Sequence, residues 1–212
     1  MHNNLQDILL GSITGDALGA PLDGMGEAHI RSVFKSVDEY IDPMPALKGK
    51  PDRWKKPGLY TSTTQLLLSL SVALNGEKIC RSHMLENLFT TISGSGETLT
   101  GHLRHPTSTI IQAFRRMENA EDQSTSHFTT GDILPLLPAL LVLKKTGEET
   151  FITSVTSFVS FFSHNPWVLA SSLITSSLYF SIYSSNGSGE LNTIVTDAIE
   201  AANRAENLSE TF

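Results

Sequence analysis

The spacing of apolar and polar residues predicts helices throughout the chain, since no run alternates apolar and polar residues as a half-buried strand does. The apolar pattern that begins near Thr61, for example, stops at Asn75-Gly76, a typical helix end. The predicted helices are 5–22, 27–40, 61–74, 82–91, 106–117, 131–145, 148–162, 166–184 and 190–205. We therefore expect an all-α fold, a single-domain helical bundle over residues 1–212 with short connections.

Proline, glycine and polar residues interrupt this pattern. Residues 42–58, with four prolines, are expected to form an irregular loop, as are 93–96 and 118–130. Pro135 and Pro138 make the first turn of the helix at 131–145 irregular.

Three glycines of the first helix lie four residues apart. Gly11, Gly15 and Gly19 share one helical face. Glycine costs ~1 kcal/mol relative to alanine within a helix. We expect this face to approach a neighbouring backbone or a ligand closely.

Residues 150–189 contain no Asp, Glu, Lys or Arg. A membrane-spanning helix needs ~20 mostly apolar residues. This stretch is rich in Ser and Thr and is broken at Ser163-His-Asn-Pro166, which favours two buried helices joined by a turn. A membrane-associated helical protein is the alternative, and partition between soluble and membrane fractions tests it.

The overall charge argues against nucleic-acid binding. Net charge is −7 and the pI is about 5.4, with no basic stripe. The short basic stretch 48–56 is expected to be a solvated loop, with a phosphate-binding patch as the alternative. Cys80 is the single cysteine, and we expect it to be a structural thiol. His102 and His105 have no acidic residue nearby to complete a metal site, and we expect them to lie on the surface. The first residues lack the features of a signal peptide, and we expect a cytoplasmic protein.

The first candidate motif is Gly11-Ser-Ile-Thr-Gly-Asp-Ala-Leu-Gly-Ala-Pro-Leu-Asp23. Asp16 lies within a helix among small and apolar residues, where a carboxylate needs hydrogen-bond donors or a cation. It is either a hydrogen-bonding link from helix to loop or a functional residue. Asp23 follows Pro21 at the helix end, as an ordinary loop residue or as an acid pointing into a cleft.

The second motif is Gly58-Leu-Tyr-Thr-Ser-Thr-Thr-Gln65, at a predicted helix start. Ser62 and Gln65 match a capping box, in which both side chains satisfy free backbone N–H groups. The alternative is a ligand site at the helix N-terminus, where the partial positive charge favours an anion such as phosphate.

Together these motifs resemble the ADP-ribosylglycohydrolase (DraG-like) family, whose members show G-D-A-L-G-x-x-x-E followed by Y-T-D-D-T-Q. Residues 15–23 match the first motif and Tyr60-Thr-x-x-Thr-Gln65 the second. Arg104-His-Pro-Thr-Ser-Thr109 is loosely similar to R-G-P-G-x-T, and Ser163-His-Asn-Pro166 to T-H-x-D/N-P.

The resemblance implies an all-α orthogonal bundle with a binuclear Mg²⁺ site. It also implies hydrolysis of the glycosidic bond between ADP-ribose and a protein side chain, with ADP-ribose or an ADP-ribosylated protein as partner. Asp23 then corresponds to the catalytic acid or metal ligand and Thr61 to the ligand threonine. Thr64 and Gln65 match the residues after the two aspartates, and Thr61, Ser62, Thr63 and Thr64 form the candidate binding segment.

This sequence departs from the family pattern at its acids. Ser62 and Thr63 stand where the family has two aspartates, and Mg²⁺ prefers carboxylate oxygens. The segment 131–138 keeps the glycine and last proline of G-A-x-M-R-x-x-P without its arginine. Asp197 is the one aspartate after residue 150, and no G-D-x-D-T motif follows. We expect Mg²⁺ binding to be weak or absent in this chain.

Two functional hypotheses follow from the resemblance. The first is a hydrolase whose acid chemistry depends on Asp23, helped by Asp16 or Asp132. The second is a catalytically silent relative that binds ADP-ribose, a nucleotide or a protein, with the helix N-terminus at Thr61 open to a phosphate. The acceptor and the oligomeric state do not follow from the sequence.

Overall fold

The computed structural model of the protein describes residues 4–42, 57–74, 104, 106–119, 131–146, 148–185 and 191–209. Within these residues helices are the regular structure and strands are absent. The predicted helix at 82–91, the loop at 93–96, Cys80 and the basic stretch 48–56 lie outside them.

Seven α-helices and two 3₁₀ segments make up the described part of the chain. They are α1 (Asn4–Gly19), the 3₁₀ turn Ala20–Leu22, α2 (Glu27–Phe34), α3 (Ser62–Leu74), α4 (Ser108–Asn119), the 3₁₀ segment Leu134–Thr146, α5 (Glu148–Ser160), α6 (Pro166–Ser184) and α7 (Leu191–Ser209). This confirms the predicted all-α fold. Helix α2 is shorter than predicted because Lys35 leaves the helical conformation at φ 62°.

The core lies between α3, the 3₁₀ segment Leu134–Thr146, α5 and α6. Each fully buried Leu or Phe side chain contributes about 1.5–3 kcal/mol. Phe151 packs on Phe180 with ring centroids 5.2 Å apart, and Phe158 on Phe162 at 5.1 Å. The irregularity predicted for the first turn of 131–145 extends much further than expected, since Leu134–Thr146 is a 3₁₀ helix throughout, with Pro138 inside it.

The charge-free stretch forms two helices, as predicted. Helices α5 and α6 are joined by a short turn, and Asn165 caps α6 by accepting the Trp167 N–H at 2.9 Å. The side chains of Phe158 on α5 and Leu173 on α6 are buried in the core. Among the described residues no helix has the length and hydropathy needed to cross a membrane.

The prediction that the glycine face of α1 approaches a neighbouring backbone is wrong among the described residues, and its alternative, a ligand on this face, stays a prediction. Gly11, Gly15 and Gly19 are exposed, and no atom of the described residues lies within 4 Å of a Cβ built on any of them. Helix α1 packs through its other side, where Leu9 and Ile13 meet the core. Glycine spacing shows a shared face, but it does not show which face a neighbour covers.

Candidate functional site

The carboxylate of Asp16 on α1 lies at the N-terminus of α3. Its Oδ2 accepts the Thr61 N–H at 2.8 Å, the Thr64 hydroxyl at 2.6 Å and the Thr64 N–H at 3.4 Å. Its Oδ1 accepts the Thr61 hydroxyl at 2.7 Å. The first N–H groups of a helix have no partner within the helix, and the helix dipole favours a negative charge beside them. Asp16 therefore acts as a cap supplied by another helix, in agreement with the hydrogen-bonding alternative.

Thr61 rather than Ser62 holds the N-cap position of α3. The Thr61 Oγ1 accepts the Thr63 N–H at 3.0 Å, and the helix begins at Ser62. The predicted N-cap is therefore wrong by one residue, and Asp16 rather than a side chain of α3 accepts the Thr61 N–H. The amide oxygen of Gln65 accepts the backbone N–H of Arg104 at 2.7 Å, so it links two segments.

Arg104 contacts the same helix start through both its backbone and its side chain. Its carbonyl accepts the Ser62 N–H at 3.0 Å, and its guanidinium donates to the Tyr60 carbonyl at 3.3 Å. The guanidinium carbon lies 4.4 Å from the centroid of the Tyr60 ring, within cation–π range. The two segments that resemble family motifs at residues 60–65 and 104–109 thus meet in space.

These contacts account for every N–H at the start of α3. The N–H groups of Thr61 and Thr64 donate to Asp16, that of Ser62 to Arg104, and that of Thr63 to Thr61. The expectation that this helix N-terminus is open to a phosphate is therefore wrong. A carboxylate of the protein already lies there, because Asp16 shares the geometry that an anion would need.

A cavity of about 360 Å³ lies beside Asp16. Its lining is more apolar than polar and comes from α1, α3, the 3₁₀ segment Leu134–Thr146 and α6. The described lining residues are Ser12, Asp16, Thr63, Thr64, Leu67, Leu134, Pro135, Thr175 and Tyr179. Two of the predicted binding residues, Thr63 and Thr64, therefore line it.

The other predicted site residues lie elsewhere. Thr61 and Ser62 are absent from the described lining, and Ser62 is buried under Arg104. Asp23 is exposed at the end of the 3₁₀ turn, where its N–H donates to the Ala20 carbonyl at 3.4 Å. It is also absent from the described lining, and its catalytic role stays a prediction.

Several lining residues were not identified from the sequence. Ser12 lies one helical turn before Asp16, and this spacing alone could have found it. Thr175 and Tyr179 share a face of α6 by the same spacing. Nothing local in their sequence indicates that this face meets α1 and α3.

The sequence comparison decides the family. A family profile described as ADP-ribosylglycohydrolase matches residues 1–212, the whole of this sequence. The chain belongs to the ADP-ribosylglycohydrolase family. No curated protein matches the sequence significantly. The resemblance drawn from residues 15–23 and 60–65 is thereby confirmed, as is the all-α fold of the family.

Among the described residues, the donors at this cavity do not fit the two magnesium ions that the family resemblance implies. In the described parts of the chain no three side chains of the His, Cys, Asp or Glu type come together. Hydroxyls replace two carboxylates at Ser62 and Thr63, and both oxygens of Asp16 accept hydrogen bonds from Thr61 and Thr64. Mg²⁺ needs near-octahedral oxygen coordination and usually at least one carboxylate free to bind it.

Asp197 does not replace the missing acids at this cavity. It accepts a hydrogen bond from the Ser181 hydroxyl and so ties α7 to α6. Ser181 is two residues from Tyr179, about 200° around the helix, and so points away from the cavity. Asp132 is half-buried and is not among the described lining residues.

Proposed function

We propose that this ADP-ribosylglycohydrolase has weak or no hydrolase activity and acts by binding a ligand related to ADP-ribose. The observation that carries the proposal is the position of Asp16, the carboxylate in the described lining of the cavity. Four hydrogen bonds from Thr61 and Thr64 hold it at the start of α3.

The chemistry of glycoside hydrolysis supports this proposal. Such hydrolysis normally needs two placed carboxyl groups, or a metal that activates water. The exchange of two aspartates for Ser62 and Thr63 removes two negative charges from the segment that resembles the family's metal site. The lining of the cavity supplies hydroxyls in their place, which compete poorly with water for Mg²⁺.

The size of the cavity supports a binding role. Ligand pockets typically measure about 300–1,000 Å³ and combine apolar walls with a few polar groups. A cavity of about 360 Å³ lined by leucines, a tyrosine and hydroxyls is of this kind. It suits part of an ADP-ribosyl group rather than the whole.

A hydrolase that depends on Asp23 is the second candidate. The exposed position of Asp23 at a helix end favours it, because a substrate on the surface would reach this carboxylate. Such an enzyme would depend on Asp23, helped by Asp16 or Asp132.

One assay separates the two functions. ADP-ribose release from modified arginine and serine peptides is measured with Mg²⁺ and with EDTA, and ADP-ribose binding is followed by calorimetry under both conditions. Binding without turnover, unchanged by EDTA, is the expected result. Turnover that disappears in Asp23→Asn and persists in Asp42→Asn, an exposed aspartate elsewhere, would establish the enzyme instead.

A further inference from the structure

We propose that the exposed side of the α5–α6 hairpin is the surface through which two copies of this chain associate. Its central residue is Trp167, whose side chain is 80% exposed, more than any other large apolar side chain of the described residues. The association is independent of the proposed function, since Trp167 is not among the described residues that line the cavity beside Asp16.

Five exposed residues define this surface, which we call the hairpin face. Thr153 and Ser157 lie four residues apart on α5 and share one side of that helix, as do Trp167 and Ser171 on α6. His164 is exposed in the turn between the two helices. Both helices bury their other sides in the same core, so their exposed sides lie together on the surface of the hairpin.

The hairpin face belongs to a part of the chain that carries no Lys, Arg, Asp or Glu. These residues are absent from 150–189, whereas the whole chain has a net charge of −7. Two copies therefore repel each other, and an interface that brings carboxylates together costs free energy. On the hairpin face two copies can meet without placing one carboxylate against another. Depletion of charge around an aromatic residue is typical of the centre of a protein interface.

Trp167 is positioned to anchor such a contact. It lies in the first turn of α6, where the Asn165 side chain accepts its backbone N–H at 2.9 Å. The backbone at Trp167 is therefore held in place before any partner arrives, which lowers the entropy lost on association. Tryptophan is among the residues that contribute most to binding free energy when they become buried at the centre of an interface.

The size of the hairpin face predicts a weak and reversible dimer. Helix α5 has 13 residues and is therefore about 20 Å long. Stable complexes bury about 800 Å² on each partner, which is more than one side of so short a hairpin offers. A two-fold axis would place the same surface of both copies in contact, with hydroxyl-bearing side chains facing each other.

A lipid surface fits the hairpin face less well than a second copy does. Of the five residues that define the face, Trp167 alone has a large apolar side chain. A helix that lies on a membrane needs a broad apolar side and gains from basic residues beside it. Neither feature is present on the hairpin face.

Sedimentation velocity and tryptophan fluorescence test the association together. Trp54→Phe leaves Trp167 as the single tryptophan of the chain. Between about 1 μM and about 1 mM of this variant and of the unaltered chain, we expect the sedimentation coefficient to rise towards that of a dimer. The emission of Trp167 should shift to shorter wavelength over the same range. Added NaCl should strengthen the association, because it screens the repulsion between two negatively charged chains.

Matched variants locate the contact. Ser157→Glu adds a carboxylate to the hairpin face and should raise the Kd of the dimer at least about tenfold, as should Trp167→Ala. Thr193→Glu adds the same charge at an exposed position of α7, and Leu10→Ala removes an exposed apolar side chain of α1. Both should change the Kd less than about twofold. Circular dichroism checks that each variant folds, and Ser171→Glu replaces Ser157→Glu if the latter does not.

Three results would overturn the proposed dimer. A monomer that persists to about 1 mM excludes the association itself. A dimer that forms without a shift in Trp167 emission, that weakens as NaCl is added, or that responds equally to Ser157→Glu and Thr193→Glu uses another surface. A shift of Trp167 emission when phosphatidylcholine vesicles are added to the dilute monomer would assign the hairpin face to a lipid surface instead.

Discussion

The hydroxyl of Thr61 donates a 2.7 Å hydrogen bond to Asp16, and this contact joins two residues 45 positions apart in the sequence. Both residues belong to motifs that resemble those of the ADP-ribosylglycohydrolases. In this chain the contact serves the fold, because Asp16 binds the start of α3 together with the Thr61 N-cap. A motif residue can therefore be retained for packing two helices even where neighbouring acids have been exchanged.

Replacing Asp16 should lower the stability of the fold, because its carboxylate accepts the hydrogen bonds at the start of α3. Asp16→Ala leaves the donors of Thr61 and Thr64 without this acceptor, and we expect a loss of about 2–4 kcal/mol in the free energy of unfolding. Asp16→Asn keeps one accepting oxygen and should cost about 1–2 kcal/mol. Urea denaturation followed by circular dichroism measures both. Asp7→Asn, an exposed change in the first turn of α1, should cost under about 1 kcal/mol. Equal losses for Asp7→Asn and Asp16→Asn would contradict the capping role.

Restoring the two aspartates should restore part of the metal affinity. In Ser62→Asp/Thr63→Asp two carboxylates return to the start of α3, and Mg²⁺ can be held through one or two carboxylates. We expect Mg²⁺ to raise the Tm of this variant and to bind at least about tenfold more tightly than to the unaltered chain, or ~1.4 kcal/mol.

The neutral pair Ser62→Asn/Thr63→Asn is the control for this double change. It has similar shape without the charge and should give no Mg²⁺-dependent shift in Tm. If both double variants respond alike to Mg²⁺, the missing charge is not what weakens the site. Ser62 is 4% exposed, so the aspartate variant should also be less stable than the unaltered chain when EDTA is present.

Arg104 and Tyr60 should be energetically coupled. The guanidinium lies over the Tyr60 ring and donates to the Tyr60 carbonyl. Arg104→Lys loses the planar contact with the ring but keeps the hydrogen bonds of its own backbone N–H and carbonyl. A double-mutant cycle of Arg104→Lys with Tyr60→Leu should give a coupling of about 0.5–1 kcal/mol. Arg31→Lys alters an exposed ion pair with Glu27 and should change stability by under about 0.5 kcal/mol. Additive losses at Arg104 and Tyr60 would show that the stacking contributes nothing.

Local sequence signals predict the bounds of some helices closely, whereas they do not predict the cavity. Helices α3 and α6 were predicted to within a residue, because the apolar pattern and the cap at Asn165 are local features. The contact of Asp16 with Thr61 depends on how α1 docks, and no local pattern encodes that docking. Thr175 and Tyr179 line the cavity because of how α6 docks, and no local pattern encodes that docking either. Family resemblance identifies the motif segments, whereas the hydrogen bonds of Asp16 follow only from the three-dimensional structure.

The exposed glycine face of α1 gives the last prediction, which reverses the expectation drawn from spacing. Gly11 and Gly15 are helical, and a Cβ on either would meet no atom of the described residues within 4 Å. Gly11→Ala and Gly15→Ala should therefore each stabilise the protein by about 0.5–1 kcal/mol, since alanine loses less backbone entropy on forming a helix. Gly58→Ala should instead destabilise by about 1–2 kcal/mol, because Gly58 has φ +72°. Thermal unfolding of the three variants measures this, and a loss of stability in Gly15→Ala would show that a partner contacts this face of α1.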